Sequence, residues 1–128
     1  SKNIESDGES KDIKEINDDE MILDIGPKTI SLIKKIINDS NTVLWNGPAG
    51  YFENPSFQTG TKEILEIISQ KTINDKIFSV AGGGETVAAI NKFKKLDSFT
   101  FVSTAGGAFL EYLEGKTLPG IKALNRNV

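Results

Sequence analysis

Hydrophobic residues along this chain fall into two alternating patterns from residue 21 onwards. Short, mostly apolar runs stopped by glycine, proline or polar residues predict buried strands at residues 21–25, 42–45, 76–81 and 99–102. Between these runs, apolar residues recur every three to four positions, which predicts amphipathic helices. Strand–turn–helix units therefore make up most of the chain.

The spacing of apolar residues also predicts which face of each helix is buried. Three faces are formed, in chain order, by Ile30, Ile33 and Ile37, by Ile64, Leu65, Ile67 and Ile68, and by Val87, Ile90 and Phe93. The fourth helix covers residues 108–114 and ends at Gly115, a residue typical of helix C-termini. Thr59 or Thr61 is the expected N-terminal cap of the second helix. Trp45 lies inside a strand, so we expect it in the core.

Alternating strands and helices predict an α/β fold, a Rossmann-like three-layer αβα arrangement with a parallel sheet between helices. Residues 1–20 are polar and lack a sustained period, so they are predicted to be a connector. Residues 21–128 then form the α/β unit. In such sheets every strand-to-helix turn falls at the carboxyl edge, where ligands bind. All four predicted turns contain glycine.

Composition limits the chemistry available at that edge. The 128 residues include neither cysteine nor histidine, which excludes disulfides, thiol chemistry and histidine-dependent catalysis. A formal charge of −3 gives no electrostatic footprint for nucleic acid. No apolar run approaches the roughly 20 residues of a membrane span, and residues 1–10 do not resemble a signal peptide. We therefore expect a cytoplasmic protein with no nucleic-acid or membrane partner.

The turn after the second predicted strand is the most informative. That strand ends abruptly in Asn-Gly-Pro-Ala-Gly at residues 46–50, where regular structure cannot continue. An aromatic pair, Tyr51 and Phe52, and the carboxylate Glu53 follow. This combination suits a flat apolar ring that bears hydroxyls, such as a nucleoside. Either packing in the core or exposure to a ligand is compatible with the aromatic pair.

Glycine-rich turns after the third and fourth strands indicate an anion. Glycine at a helix N-terminus lets the backbone approach a ligand, and the free N–H groups there favour phosphate. Two such helix starts are predicted, at Gly84 and Gly107. Glu85 has two interpretations: a first-turn carboxylate favoured by the helix dipole, or a magnesium ligand beside a phosphate-binding hydroxyl of Thr86.

No standard nucleotide-binding motif fits these turns. The sequence GGGET at 82–86 lacks the lysine of a P-loop. The third glycine or alanine of the dinucleotide fingerprint is also missing, since Val87 stands at that position. The residues alone therefore indicate an anion or nucleotide site on an open α/β sheet.

Four segments in order resemble the C-terminal part of phosphoglycerate kinase: LDIGPKT at 23–29, VLWNGPAGYFE at 43–53, GGGET at 82–86 and STAGGAFLEYLEGKTLPG at 103–120. That family transfers the acyl phosphate of 1,3-bisphosphoglycerate to Mg-ADP in glycolysis, giving 3-phosphoglycerate and ATP. The resemblance implies that this chain is a fragment, a partial domain that binds ATP or ADP with Mg²⁺. The family's N-terminal domain, absent here, would hold 3-phosphoglycerate. The full-length enzyme is expected to be a monomer, and the fragment alone to be inactive.

The resemblance also implies roles for individual residues at the predicted ligand edge. The nucleotide would lie along Asn46, Gly47 and Pro48, near Phe52, with its ribose bonded to Glu53. Its phosphates would meet Gly83, Gly84, Glu85 and Thr86, and Glu85 would bind Mg²⁺. Gly106 and Gly107 would open a helix that faces the transferred phosphoryl group and thus act in catalysis.

Three positions depart from the family pattern. The family more often has Asp at the position of Glu85, often has Gly at the position of Ala105, and in some members has Gly at the position of Ile22. The longer carboxylate puts the metal geometry in question, and no adenine contact is assigned to Ile22.

Two other functions fit the sequence. One is a non-catalytic nucleotide-binding α/β module that kept the sheet and lost the chemistry. The other is a structural or partner-binding α/β domain that ignores nucleotides. Basic residues and a second α/β domain upstream would favour the enzyme, and their absence would favour the module.

Overall fold

The computed structural model describes residues 1–125. Three parallel strands form one sheet in the order β1, β2, β3. The strands are β1 (Thr42–Asn46), β2 (Phe78–Gly82) and β3 (Phe101–Ser103). The α-helices are α1 (Pro27–Asn38), α2 (Thr59–Ile73), α3 (Gly84–Lys92), α4 (Gly107–Leu113) and α5 (Pro119–Leu124), with 3-10 turns at Ile13–Glu15, Pro55–Phe57 and Leu96–Ser98. The predicted α/β fold class is confirmed.

The hydrophobic core lies on one face of the sheet. Trp45 and Ala81 are neighbours in register on that face, and the Trp45 ring stacks on Phe99 with centroids 6.2 Å apart. The helices contribute the buried side chains Ile37 of α1, Ile64, Leu65 and Ile68 of α2, and Ala89 and Ile90 of α3. Burying each large apolar side chain contributes about 1.5–3 kcal/mol. The predicted core position of Trp45 is confirmed.

The opposite face of the sheet is half exposed. Leu44, Phe78 and Phe101 alternate with the core positions, and 48%, 51% and 55% of their surfaces are accessible. At the carboxyl end of this face, Phe109 of α4 lies against Gly82. Since parallel sheets normally bury both faces, the chain forms a partial domain with an incomplete third layer.

Residues 21–25 do not form the strand that was predicted. Met21 N–H donates to the Ser1 carbonyl at 2.7 Å, and the Leu23 carbonyl accepts from Tyr51 N–H at 2.7 Å. The Ser1 ammonium also donates to the Met21 carbonyl at 3.2 Å. These are isolated contacts with loops, whereas a strand needs a ladder of bonds to a neighbouring strand. Within residues 1–125, β1 pairs with β2 alone, so this segment has no strand beside it.

Strands β2 and β3 begin later than predicted for local reasons. Lys76 N–H donates to the Lys71 carbonyl at 2.8 Å and so closes the end of α2, with Asp75 at φ +52°. Before β3, Ser79 N–H donates to Thr100 Oγ1 and Thr100 N–H to Ser79 Oγ, each at 3.1 Å. Side chains therefore replace the backbone ladder at this point.

The N-terminus of α2 is not capped by a threonine, contrary to the prediction. Gln58 is the residue before the helix, and its side chain makes no cap hydrogen bond. Instead Asp24 Oδ2 accepts from Gly60 N–H at 2.9 Å, which also places a carboxylate at the positive end of the helix. The hydroxyl of Thr61 accepts from Ala49 N–H at 3.0 Å. A distant segment thus supplies the cap.

Polar contacts hold residues 1–20 to the rest of the chain. Asn54 Nδ2 donates to the Ile4 carbonyl at 2.6 Å. Within the segment itself, the side chain of Glu20 is only 8% exposed and accepts hydrogen bonds from Asn17 N–H at 2.9 Å and from Lys11 Nζ at 2.6 Å. The division of the chain at residue 20 stays a prediction. Over residues 1–125, no helix is long and apolar enough to cross a membrane.

Acidification between about pH 4.5 and pH 2 should destabilise the fold through Glu20. The Asn17 N–H and the Lys11 ammonium lower the pKa of Glu20 to about 2 from 4.5. Because the folded-state pKa is the lower one, ionised Glu20 stabilises the folded chain above pH 4.5, and that contribution disappears as the pH falls towards 2.

The variant Glu20→Gln should therefore be less stable than wild type near neutral pH and equally stable near pH 2. Urea unfolding across this range measures the difference in the free energy of unfolding. A difference that stays constant with pH would contradict the assignment.

Candidate functional site

The carboxyl ends of the three strands bring three of the predicted turns to one edge. Asn46 at the end of β1 is in register with Gly82, and Gly82 is in register with Ser103. The strands therefore end at the same level. The first predicted turn, at residues 24–27, follows no strand and leads into α1.

The loop after β1 is fixed by hydrogen bonds to other elements. Gly47 N–H donates to Thr86 Oγ1 in α3 at 2.6 Å, and Ala49 N–H donates to Thr61 Oγ1 in α2 at 3.0 Å. Tyr51 N–H donates to a backbone carbonyl of the segment before α1 at 2.7 Å. Three elements thus define the path of the loop without any ligand, which is the kind of preorganisation that binding sites need.

The end of this loop is anchored by Phe52 and Lys92. The Phe52 ring is only 5% exposed and packs in the core, whereas Tyr51 is 40% exposed. Lys92 Nζ of α3 donates to the Phe52 carbonyl at 2.6 Å and to the Glu53 carbonyl at 3.1 Å. Phe52, predicted to lie near the nucleotide, therefore directs its ring into the core, and Glu53 beside it is exposed.

The turn after β2 requires glycine at position 83. Gly83 has φ +93°, and a Cβ atom there would lie 2.7 Å from Oδ1 of Asn46. The Asn46 side chain therefore lies directly beside this turn. At Gly84 an added Cβ would meet no atom within 4 Å, so the surface is open where α3 begins.

Helix α3 begins at Gly84, as predicted. The hydrogen bond donated by Val87 N–H, to the residue before the helix, is the first of the helical pattern. The N–H groups of Gly84, Glu85 and Thr86 consequently have no acceptor inside the helix, and they favour an anion. Thr86 is completely buried, and its hydroxyl already accepts the Gly47 N–H.

Glu85 is exposed in the first turn of α3. Among residues 1–125, no three acidic side chains come together as a potential metal site. Mg²⁺ is commonly held by one or two carboxylates together with substrate phosphates and water. One exposed carboxylate beside an anion-favouring helix start fits that chemistry, and a simple dipole-stabilised carboxylate fits as well.

The turn after β3 carries Gly106 and Gly107. Gly106 has φ +52° and ψ −125°, a conformation that side chains strongly disfavour. Gly107 begins α4, and a Cβ added to it would meet nothing within 4 Å. Ala105 does not have a positive φ, and its N–H donates to Ser103 Oγ at 3.3 Å. The backbone therefore accepts alanine at this position.

Three sets of contacts that shape the site were not predicted from the sequence. Asp24 accepts a hydrogen bond from Gly60, 36 residues away, and Lys92 donates one to Phe52, 40 residues away. Thr61 accepts hydrogen bonds from loop residues that lie 12 and 11 positions before it. Local patterns carry no signal for such contacts, because they depend on how the elements pack.

The sheet and its glycine-rich edge define an open α/β protein of the class that binds ligands at the carboxyl ends of parallel strands. The family model described as Phosphoglycerate kinase matches residues 1–116. The chain therefore belongs to the phosphoglycerate kinase family.

Curated relatives agree with this assignment. The phosphoglycerate kinase of Xanthobacter flavus is 47% identical over 114 residues, which cover 89% of this chain and 29% of the relative. That of Francisella philomiragia subsp. philomiragia is 51% identical over 114 residues, which cover 89% of this chain and 28% of the relative. The chain thus spans less than a third of the curated relatives it matches.

Solved structures are similar over the same part. The phosphoglycerate kinase of Coxiella burnetii has a TM-score of 0.81 and 42% identity, covering 91% of this chain and 29% of that chain. The phosphoglycerate kinase of Pyrococcus horikoshii OT3 has a TM-score of 0.70 and 36% identity, covering 82% of this chain and 25% of that chain.

Replacing Thr86 with valine should detach the loop from α3. The change removes the acceptor of the partly exposed Gly47 N–H while keeping the shape of the side chain, and a typical intramolecular hydrogen bond contributes about 0.5–1.5 kcal/mol. Unfolding in urea measures this loss of stability, and amide hydrogen exchange at Gly47 should accelerate. Thr86→Ser keeps the hydroxyl and should leave that exchange slow. Equal exchange rates in the two variants would disprove the role.

Proposed function

We propose that this chain is the nucleotide-binding part of a phosphoglycerate kinase, which passes the acyl phosphate of 1,3-bisphosphoglycerate to Mg-ADP in glycolysis. Family membership supports the enzyme class. The observation that carries the nucleotide site is the hydrogen bond from Gly47 N–H to Thr86 Oγ1. It joins a loop suited to a nucleoside to a helix start suited to phosphate.

The nucleoside would lie along the loop after β1. Asn46, Gly47 and Pro48 would line it. Exposed Glu53 would accept hydrogen bonds from ribose hydroxyls, because an ionised carboxylate is purely an acceptor. The half-exposed ring of Tyr51 offers an apolar surface for the base.

The phosphates would lie at the start of α3. Gly84 leaves room for them, Gly83 supplies the positive φ of the turn beside them, and the N–H groups of the first turn would donate to their oxygens. Glu85 would bind Mg²⁺, which supplies charge neutralisation when it is bound. Gly106 and Gly107, at the same edge, would face the transferred phosphoryl group. Phosphoryl transfer depends on positioning and charge stabilisation, so a chain without histidine or cysteine suits it.

Titration of Mg-ADP into this chain by calorimetry tests the site. Saturable binding is expected. Glu53→Ala should weaken it about tenfold or more, since hydrogen bonds to charged groups contribute about 1.5–3 kcal/mol. Glu85→Ala should also weaken it, because Mg²⁺ would lose its ligand from the protein. Asp39→Ala, an exposed carboxylate before the opposite end of β1, should bind like wild type. If circular dichroism shows that the chain is folded but calorimetry detects no binding of Mg-ADP, a structural or partner-binding domain would be favoured instead.

The same titration separates the two interpretations of Glu85. If Glu85 is a magnesium ligand, Glu85→Ala should reduce the affinity for Mg-ADP but not the affinity for ADP measured in the presence of a chelator. If Glu85 only complements the helix dipole, Glu85→Ala should not reduce the affinity for Mg-ADP or for ADP, because the carboxylate would repel the phosphates.

We further propose that the chain alone does not catalyse the transfer. The residues that would hold the phosphoglycerate belong to parts of the relatives that this chain does not match, since the chain spans 29% of the Xanthobacter flavus enzyme. A cytoplasmic location belongs to the same proposal. A coupled assay of the purified chain with 1,3-bisphosphoglycerate and Mg-ADP should show no ATP formation, and measurable ATP would contradict this part.

A further inference from the structure

Lys92, near the end of α3, reaches the loop that carries Glu53. Its ammonium donates to the Phe52 carbonyl at 2.6 Å and to the Glu53 carbonyl at 3.1 Å. It also lies 5.7 Å from the centroid of the Phe52 ring and 5.9 Å from that of Phe93. Two carbonyls and two rings thus surround one cation.

In this arrangement the charge of Lys92 interacts with the loop and not with an acidic side chain. In the part of the chain that the structure describes, Lys92 forms no ion pair with a carboxylate. Its charge is instead directed at backbone carbonyls and aromatic faces, both of which attract a cation. Immobilising a lysine costs side-chain entropy, so the contacts that hold Lys92 must exceed that cost.

The two carbonyls have a specific relation to Glu53. One belongs to the peptide group before the Cα atom of Glu53, and the other to the peptide group after it. Holding both peptide planes fixes the backbone dihedrals of Glu53, and therefore the direction of its Cα–Cβ bond. The side chain itself remains exposed.

We propose that Lys92 is a positioning residue that aims the Glu53 carboxylate at the ribose hydroxyls, and so sets the preference of the site for ribose. This inference rests on the proposed nucleotide site. The loop has further anchors, since the Phe52 ring is buried and Gly47 and Ala49 are bonded elsewhere. Losing Lys92 should consequently misdirect Glu53 without releasing the whole loop.

Paired titrations with Mg-ADP and Mg-2′,3′-dideoxy-ADP test this role. Wild type should prefer ADP, and Lys92→Met should reduce affinity for ADP by about tenfold, the effect of losing roughly one hydrogen bond. Affinity for the dideoxy nucleotide should not change, because that nucleotide has no hydroxyl for Glu53. Adding Lys92→Met to Glu53→Gln should cause little further loss, and Lys92→Arg should restore part of the preference.

Lys76→Met serves as the matched control, since Lys76 is exposed before the opposite end of β2. An equal loss for both nucleotides in Lys92→Met would show a general structural role and overturn the proposal, as would no loss for either. A wild-type chain that binds neither nucleotide would overturn the proposed function instead.

Amide exchange without nucleotide tests the positioning independently. Phe52 N–H donates to the Gly50 carbonyl at 2.8 Å, and Asn54 N–H donates to the Tyr51 carbonyl at 3.1 Å. In Lys92→Met both amides should exchange about tenfold faster, whereas Gly47, bonded to Thr86, should keep its rate. Unchanged exchange at Phe52 and Asn54 would show that Lys92 does not hold this part of the loop.

Discussion

A single hydrogen bond between two turns, from Gly47 N–H to the hydroxyl of Thr86, is the contact on which the candidate site depends. Thr86 is completely buried, so its hydroxyl bonds to the loop and is not exposed to solvent. Its burial requires α3 to start close to the sheet, and that start requires the positive φ of Gly83. The loop after β1 and the start of α3 are therefore held at a fixed separation without any ligand.

The stability of the fold and the geometry of the site come from different parts of the sheet. Trp45, Phe99 and the buried residues of α2 and α3 fill one face, while the site lies on the turns at the strand ends. The other face exposes Leu44, Phe78 and Phe101, an apolar surface that favours association. Because the turns follow strands whose core face is covered, the edge keeps its shape although the third layer is incomplete.

Sequence patterns predicted the elements that depend on local periodicity and failed where distant partners decide. Ile30 and Ile37 are buried as their spacing indicates, and α3 begins at the predicted Gly84. Residues 21–25 have the composition of a strand, yet no strand lies beside them among residues 1–125. The cap of α2 by Asp24 was not predictable either, since a carboxylate 36 residues from Gly60 leaves no periodic signal.

Glu85 stands where the resemblance implies aspartate more often, and the structure accommodates the longer side chain. Glu85 is exposed in the first turn of α3, so the longer side chain is not confined by the core. With no cluster of three acidic residues nearby in residues 1–125, the protein does not impose a complete coordination shell. Under the proposed function, nucleotide phosphates and water would supply the remaining Mg²⁺ ligands, and the extra methylene would affect only the ligand from Glu85.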